Sequence, residues 1–204
     1  MLQNIRYYIT NLVRDAHFWQ RTDISGHEIK IKFIFSSIKW IIVALSILLA
    51  LFTPSLGDNL IGYLLASFSI FIALFLQLII SIYARYSDLI IDTSTENKKV
   101  FAIQIKNFSK QFTSIMSYSI LIAIFCVLML SISLITDYVN ICNTYKYAID
   151  FQDSLYIIRV WTSIIYKSIL FYFILDFFYL LIYGLTSFYA FVKIDIDSKK
   201  IKQD

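Results

Sequence analysis

Residues 168–192 read SILFYFILDFFYLLIYGLTSFYAFV, 25 residues with a single charged side chain, Asp176. At about 1.5 Å of rise per residue, a helix of that length crosses the roughly 30 Å hydrocarbon core of a bilayer. Reading outward, residues 33–52, 60–84 and 112–136 have the same character, and Lys39 is their only charge. Four such runs in 204 residues predict an all-α polytopic membrane protein with four transmembrane helices. Hydrophobic residues make up 59% and charged residues 16%, against about 45–50% and about 25% in soluble domains.

The basic residues orient the runs. Six of the 18 lysines and arginines precede residue 40, five lie between residues 85 and 110, and four follow residue 192. The remaining three, Lys146, Arg159 and Lys167, fall on the other side with Asp58, Asp137, Asp150 and Asp153. The positive-inside bias then puts both termini and the middle loop in the cytoplasm (N-in, C-in). No secretory signal is expected ahead of the first span, because Arg6, Arg14 and Asp15 interrupt residues 1–20. The net charge of +4 suits anionic headgroups, and no basic stripe with interleaved aromatics calls for nucleic acid.

Seven segments follow. Residues 1–30 hold an amphipathic helix, with Ile5, Tyr8, Ile9, Leu12, Val13 and Ala16 at helical spacing, and then a turn. This helix either lies on the inner membrane surface or docks on cytosolic helix extensions. Residues 31–84 carry the first two spans, joined by a tight turn containing Pro54 and Gly57. Residues 85–111 read as a cytosolic helical hairpin that extends the second and third spans, with a capping box at 93–96. The third span covers 112–136. Residues 137–167 form an outer loop with an interfacial helix at 153–166; the alternative is a last span that begins earlier and tilts. The fourth span covers 168–192, and 193–204 is a cytosolic tail.

Asp176 is the sharpest candidate. An ionised carboxylate at that depth costs about 2.5–3.5 kcal/mol on insertion scales, so it should face protein or water. Tyr172, Tyr179 and Tyr183 share its helical face, and Gln77 is a further interhelical donor. This polar seam serves either assembly of helices and subunits or the lining of a pore. Lys39 is read as an interfacial charge snorkelling inward, too shallow to reach Asp176 without stretching. Lys98, Lys99, Lys106 and Lys110 mark the hairpin as the docking surface for a cytosolic partner. Cys142 faces the outside, where it either pairs between subunits or stays a packed thiol, and a bond to Cys126 deep in the third span is not expected.

His17 and His27 stand apart with no metal-ligand spacing, so no cofactor is expected. A phosphate-binding glycine loop, an activated-serine motif and paired intramembrane carboxylates are all missing, and the spans contain only Gly62 and Gly184 as helix breakers. Enzyme and transporter classes therefore recede. Three classes remain: an oligomeric membrane scaffold, a pore-forming effector, and an accessory protein that shields another membrane protein.

The abundance of Ile, Lys, Asn, Tyr and Phe is what AT-rich codons give and hints at a bacterial gene. The four-span layout, the inward termini, the charged loop from Arg85 to Lys110 and the aromatic last span resemble the KwaA-type membrane subunits of the bacterial Kiwa anti-phage system. That resemblance is architectural and covers the whole chain. It implies an inner-membrane homo-oligomer that responds to phage attachment and recruits a soluble KwaB-like effector. Contact with DNA would then belong to the partner.

Overall fold

The computed structural model describes residues 2–22, 32–53, 56–87, 96–136 and 154–200. Among them the elements are five α-helices: α1 Leu2–Trp19, α2 Lys32–Phe52, α3 Asp58–Ser87, α4 Glu96–Thr136 and α5 Ser154–Lys200. Among the described residues three segments are long and apolar enough to cross a membrane, Asp58–Ala84, Ala102–Ile135 and Val160–Lys193, which marks this as a membrane protein by length and composition. A shorter apolar stretch, Ile38–Phe52, belongs to α2. Large apolar side chains stand exposed along α2 and α3, Trp40, Ile41, Leu48, Ile70 and Leu74 among them. Contact with lipid removes the penalty such surfaces carry in water.

The middle of the chain follows the expectation in part. α4 begins at Glu96, the last residue of the expected capping box, and runs unbroken into its apolar segment. α3 continues past Ala84 to Ser87, and the rest of its expected extension lies outside the described residues. The interfacial helix expected at 153–166 is not a separate element. It is the first third of α5, 47 residues long. No proline interrupts that stretch and Gly184 is its one glycine, so the helix has nothing to stop it at Lys167. Its apolar part is 34 residues, about 51 Å of helix, so it must tilt or continue through the headgroup layers.

The chain divides into two compact units. One holds residues 1–32, 74–120 and 179–204, and so contains α1 with segments of α3, α4 and α5. The other holds 33–73 and 121–178, and contains α2 with the remaining segments of the same three helices. Each unit is thus a four-helix cluster in which one short helix completes three long ones.

Periodicity explains which face each helix buries. On α4 the buried residues Phe112, Ser119, Ala123, Cys126, Leu130 and Ser133 repeat at steps of seven, four and three. On α5 the same rhythm runs through Ser163, Lys167, Leu170, Ile174, Phe177 and Leu180. A mean spacing near 3.5 keeps one stripe toward neighbouring helices, and small or polar residues on it allow close approach. In the second unit Phe177 meets Phe68 edge-on at 5.1 Å between ring centres. In the first, Phe108 stacks on Phe191 at 4.1 Å.

Gly184 is a close approach of this kind. A β-carbon there would run into the terminal methyl of Met116. That methyl ends a flexible side chain, so Gly184→Ala is expected to be tolerated. Gly184→Val should destabilise by about 1–3 kcal/mol through overpacking. Adding Met116→Ala should recover part of that loss in a thermal denaturation series in detergent; purely additive losses would show that the two positions do not meet.

Candidate functional site

The second unit buries charge. Asp176 is 1% exposed, and Lys39 donates to its Oδ1 in a direct ion pair between α2 and α5. This corrects the expectation that Lys39 snorkels inward, out of reach of Asp176. Because α5 starts at Ser154, Asp176 lies at the middle of its apolar segment rather than toward one end. Lys39 is one turn before the middle of α2. The two charges therefore share a depth.

A second contact fixes the register. Lys167, 1% exposed, donates from Nζ to the Thr53 carbonyl at 3.2 Å, just past the C-terminus of α2. That carbonyl is one of the four left without an intrahelical partner at a helix end, and an ammonium suits the negative pole of the helix dipole. Position 39 pairs with 176 and position 53 with 167, so α2 and α5 run antiparallel. Fourteen residues of α2 rise about 21 Å and nine of α5 about 13.5 Å. The mismatch is about the reach of one extended lysine stem, so the lysines absorb it. Tyr166 in turn donates to the Met129 carbonyl of α4.

The first unit has a polar clasp instead. The last carbonyls of α1 point at α4 and α5. Gln111 on α4 donates from Nε2 to Trp19 O at 3.0 Å and Thr22 O at 3.1 Å. Tyr183 on α5 donates to Trp19 O at 3.2 Å, and its hydroxyl lies 3.1 Å from Gln111 Nε2. His17 packs its ring against Tyr118 at 5.6 Å, and Ala16 is fully buried. Of the two placements open to the N-terminal helix, its C-terminal end takes docking on other helices, while Ile5, Tyr8 and Ile9 stay exposed.

The expected seam is thereby split. Asp176 engages Lys39, Tyr183 engages Gln111 and Trp19, and Tyr172 and Tyr179 are half-buried. Gln77 is exposed on α3. Lys99, Lys106 and Lys110 are exposed on α4; Lys98 lies in the same helix with its side chain outside the description. Cys142 and His27 fall outside the described residues, and Cys126 is buried. Among the described residues no three His, Cys, Asp or Glu side chains gather as a metal site.

Gln111 and Lys167 were missed. For Lys167 a signal existed: it continues the buried rhythm of α5 backward from Leu170 through to Ser163. For Gln111 there was none, since it ends a charged loop whose polar residues read as solvated. Chemically, the lysine–aspartate pair is a polar lock between antiparallel helices, because losing either partner strands the other charge. No family model, no curated protein and no solved structure matches the chain.

Proposed function

We propose that the chain is a four-span protein of a bacterial cytoplasmic membrane with both termini inside, an oligomeric and non-catalytic sensor or scaffold. It holds a soluble protein partner, as the KwaA-type subunits it resembles hold a KwaB-like effector. The observation that carries this reading is the start of α4. The helix begins at Glu96, six residues before its apolar segment, and that entry carries Lys98 and Lys99, with Lys99 exposed. A rigid, charged helical entry outside the hydrocarbon layer is a surface that a soluble partner can grip. α2 supplies the fourth span, its 21 residues being sufficient for a crossing. The lysine and arginine bias supports the orientation.

The test is co-expression with any soluble protein found encoded beside this gene. The parent chain should retain that protein through purification in detergent, and Lys98→Glu with Lys99→Glu should reduce retention by at least about tenfold, the equivalent of roughly 1.4 kcal/mol. Retention unaffected by the reversals would move the docking site elsewhere. No retention by the parent would end the scaffold reading.

The alternative is a pore-forming effector, favoured by two charged groups buried within the helices, Asp176 and Lys167, with the part-buried Lys39 paired to the first. Conduction would require the pair to open toward water. Reconstituted liposomes should then leak ions, with Asp176→Asn altering the conductance. Tight liposomes under every trigger tried would exclude it.

A further inference from the structure

A cleft of about 760 Å³ opens in the first unit, lined by α1, α3 and α4. Its size falls within the range of about 300–1,000 Å³ typical of small-molecule sites. Two of its walls are apolar and aromatic. α1 contributes Phe18 and Trp19, and α3 contributes Ile79, Ile80 and Tyr83. The third wall is different. α4 lines it with Lys106, Ser109, Lys110, Thr113 and Ser114, which recur at three and four residues and so form one polar face. The other face of the same turns, with Ile105, Phe108, Phe112 and Ile115, is buried.

A polar face on this stretch needs an explanation, because it lies inside the apolar segment Ala102–Ile135. Ile80 is 60% exposed and Tyr83 72%, so the apolar wall continues into the outer surface of a candidate span. The cavity is therefore open to whatever surrounds α3. Two ammonium groups stand one turn apart at its rim, with three hydroxyls beside them. Asp15 is the one carboxylate on the lining, and it lies 3.9 Å from Arg14. The excess is positive, at the level where an apolar wall meets a charged one.

We propose that this cleft binds an anionic phospholipid from the surrounding leaflet, its phosphate on Lys106 and Lys110 and an acyl chain along Ile79 and Ile80. Charge complementarity selects the headgroup, and continuity with the lipid-facing surface of α3 selects a lipid over a soluble ligand. The inference requires membrane insertion but is independent of the scaffold reading, since it asks nothing of a protein partner.

Trp19 lines the cleft and reports on it. Trp40 and Trp161 are 71% and 61% exposed, so Trp40→Phe and Trp161→Phe leave Trp19 as the sole indole without touching the core. The full chain carrying these changes is placed in nanodiscs of phosphatidylcholine containing a minor fraction of brominated lipid, which quenches on contact. Brominated phosphatidylglycerol should quench Trp19 at a several-fold lower mole fraction than brominated phosphatidylcholine, each lysine adding up to about fivefold. Lys106→Gln with Lys110→Gln should bring the two lipids level, and Asp15→Asn should widen the gap. Both lysines are exposed, so circular dichroism should show the variant folded. Equal quenching by the two lipids in the parent overturns the proposal. Relief of the quenching by millimolar inorganic phosphate, or by an acidic soluble peptide, also overturns it and assigns the lysines to that ligand.

Discussion

Lys39→Met is expected to destabilise the folded chain by about 3–5 kcal/mol, because it strands the Asp176 carboxylate in an interior that water does not reach. Asp176→Leu should cost less. Lys39 is 18% exposed against 2% for Asp176, and its long stem can carry an orphaned ammonium toward the nearer interface. The double variant, Lys39→Met with Asp176→Leu, should recover most of the loss, since neither charge is then left unpaired. The measurement is a double-mutant cycle on thermal or dodecyl sulfate denaturation in lipid nanodiscs, with a coupling of at least about 1 kcal/mol expected. Losses that simply add would mean the pair does not hold α2 against α5.

The same cycle bears on the proposed oligomer. An aspartate exposed within the membrane would seek a partner on another subunit. Here the need is met inside one chain, so Asp176 drops out as a required intersubunit contact and becomes a lock on the fold. For the proposed oligomer the surface that remains is apolar: the outer faces of α2 and α3, with Trp40, Ile41, Leu48 and Leu74 exposed. In hydrocarbon those faces gain nothing from burial as such. Association there depends on close packing, for which Gly62, with open space around it, and Ser69 offer small residues.

How much of this was legible in the sequence depends on which solvent each residue meets. Helix existence was plain, because runs of 20 or more apolar residues have few other folds open to them. Their ends were less so. The boundary expected between the interfacial helix at 153–166 and the span at 168–192 left Lys167 outside the span, and a lysine that caps the Thr53 carbonyl reads the same in sequence as one bathed in water. Inward faces were obscured for a related reason. Lipid is as apolar as the core, so Phe177, fully buried, and Phe178, 45% exposed, give no contrast in hydropathy. The face showed only through polar and small residues. Asp176 was found that way, and Ser163, Ser119 and Ala123 would have completed the stripe. The Lys39–Asp176 pair was unreadable because it depends on relative depth, and depth depended on where α5 begins.

Gln111→Leu should free the end of α1 while leaving the long helices intact. The substitution keeps the volume of a side chain only 2% exposed but removes the donor that reaches the Trp19 and Thr22 carbonyls. Tyr183 still donates to Trp19 O, but the buried Thr22 carbonyl loses its side-chain donor, which costs about 1–3 kcal/mol just past the last turn of α1. Gln111 Oε1 and both amide atoms of Gln20 are buried with no protein hydrogen-bond partner, so protein groups satisfy this clasp only in part. A partly satisfied polar network is where a fold gives first. Amide exchange across residues 12–22 should accelerate by about tenfold to a hundredfold, since each 1.4 kcal/mol is a factor of ten. Exchange within α4 and α5 should stay put. Tyr183→Phe removes one hydroxyl, so its effect should be smaller, near 0.5–1.5 kcal/mol. If Gln111→Leu leaves exchange at residues 12–22 unchanged, then Ala16 and the His17–Tyr118 contact hold α1 by packing alone. If it accelerates exchange as expected, the same variant should also weaken quenching of Trp19 by anionic lipid, because a loosened α1 takes Phe18 and Trp19 out of the cleft wall.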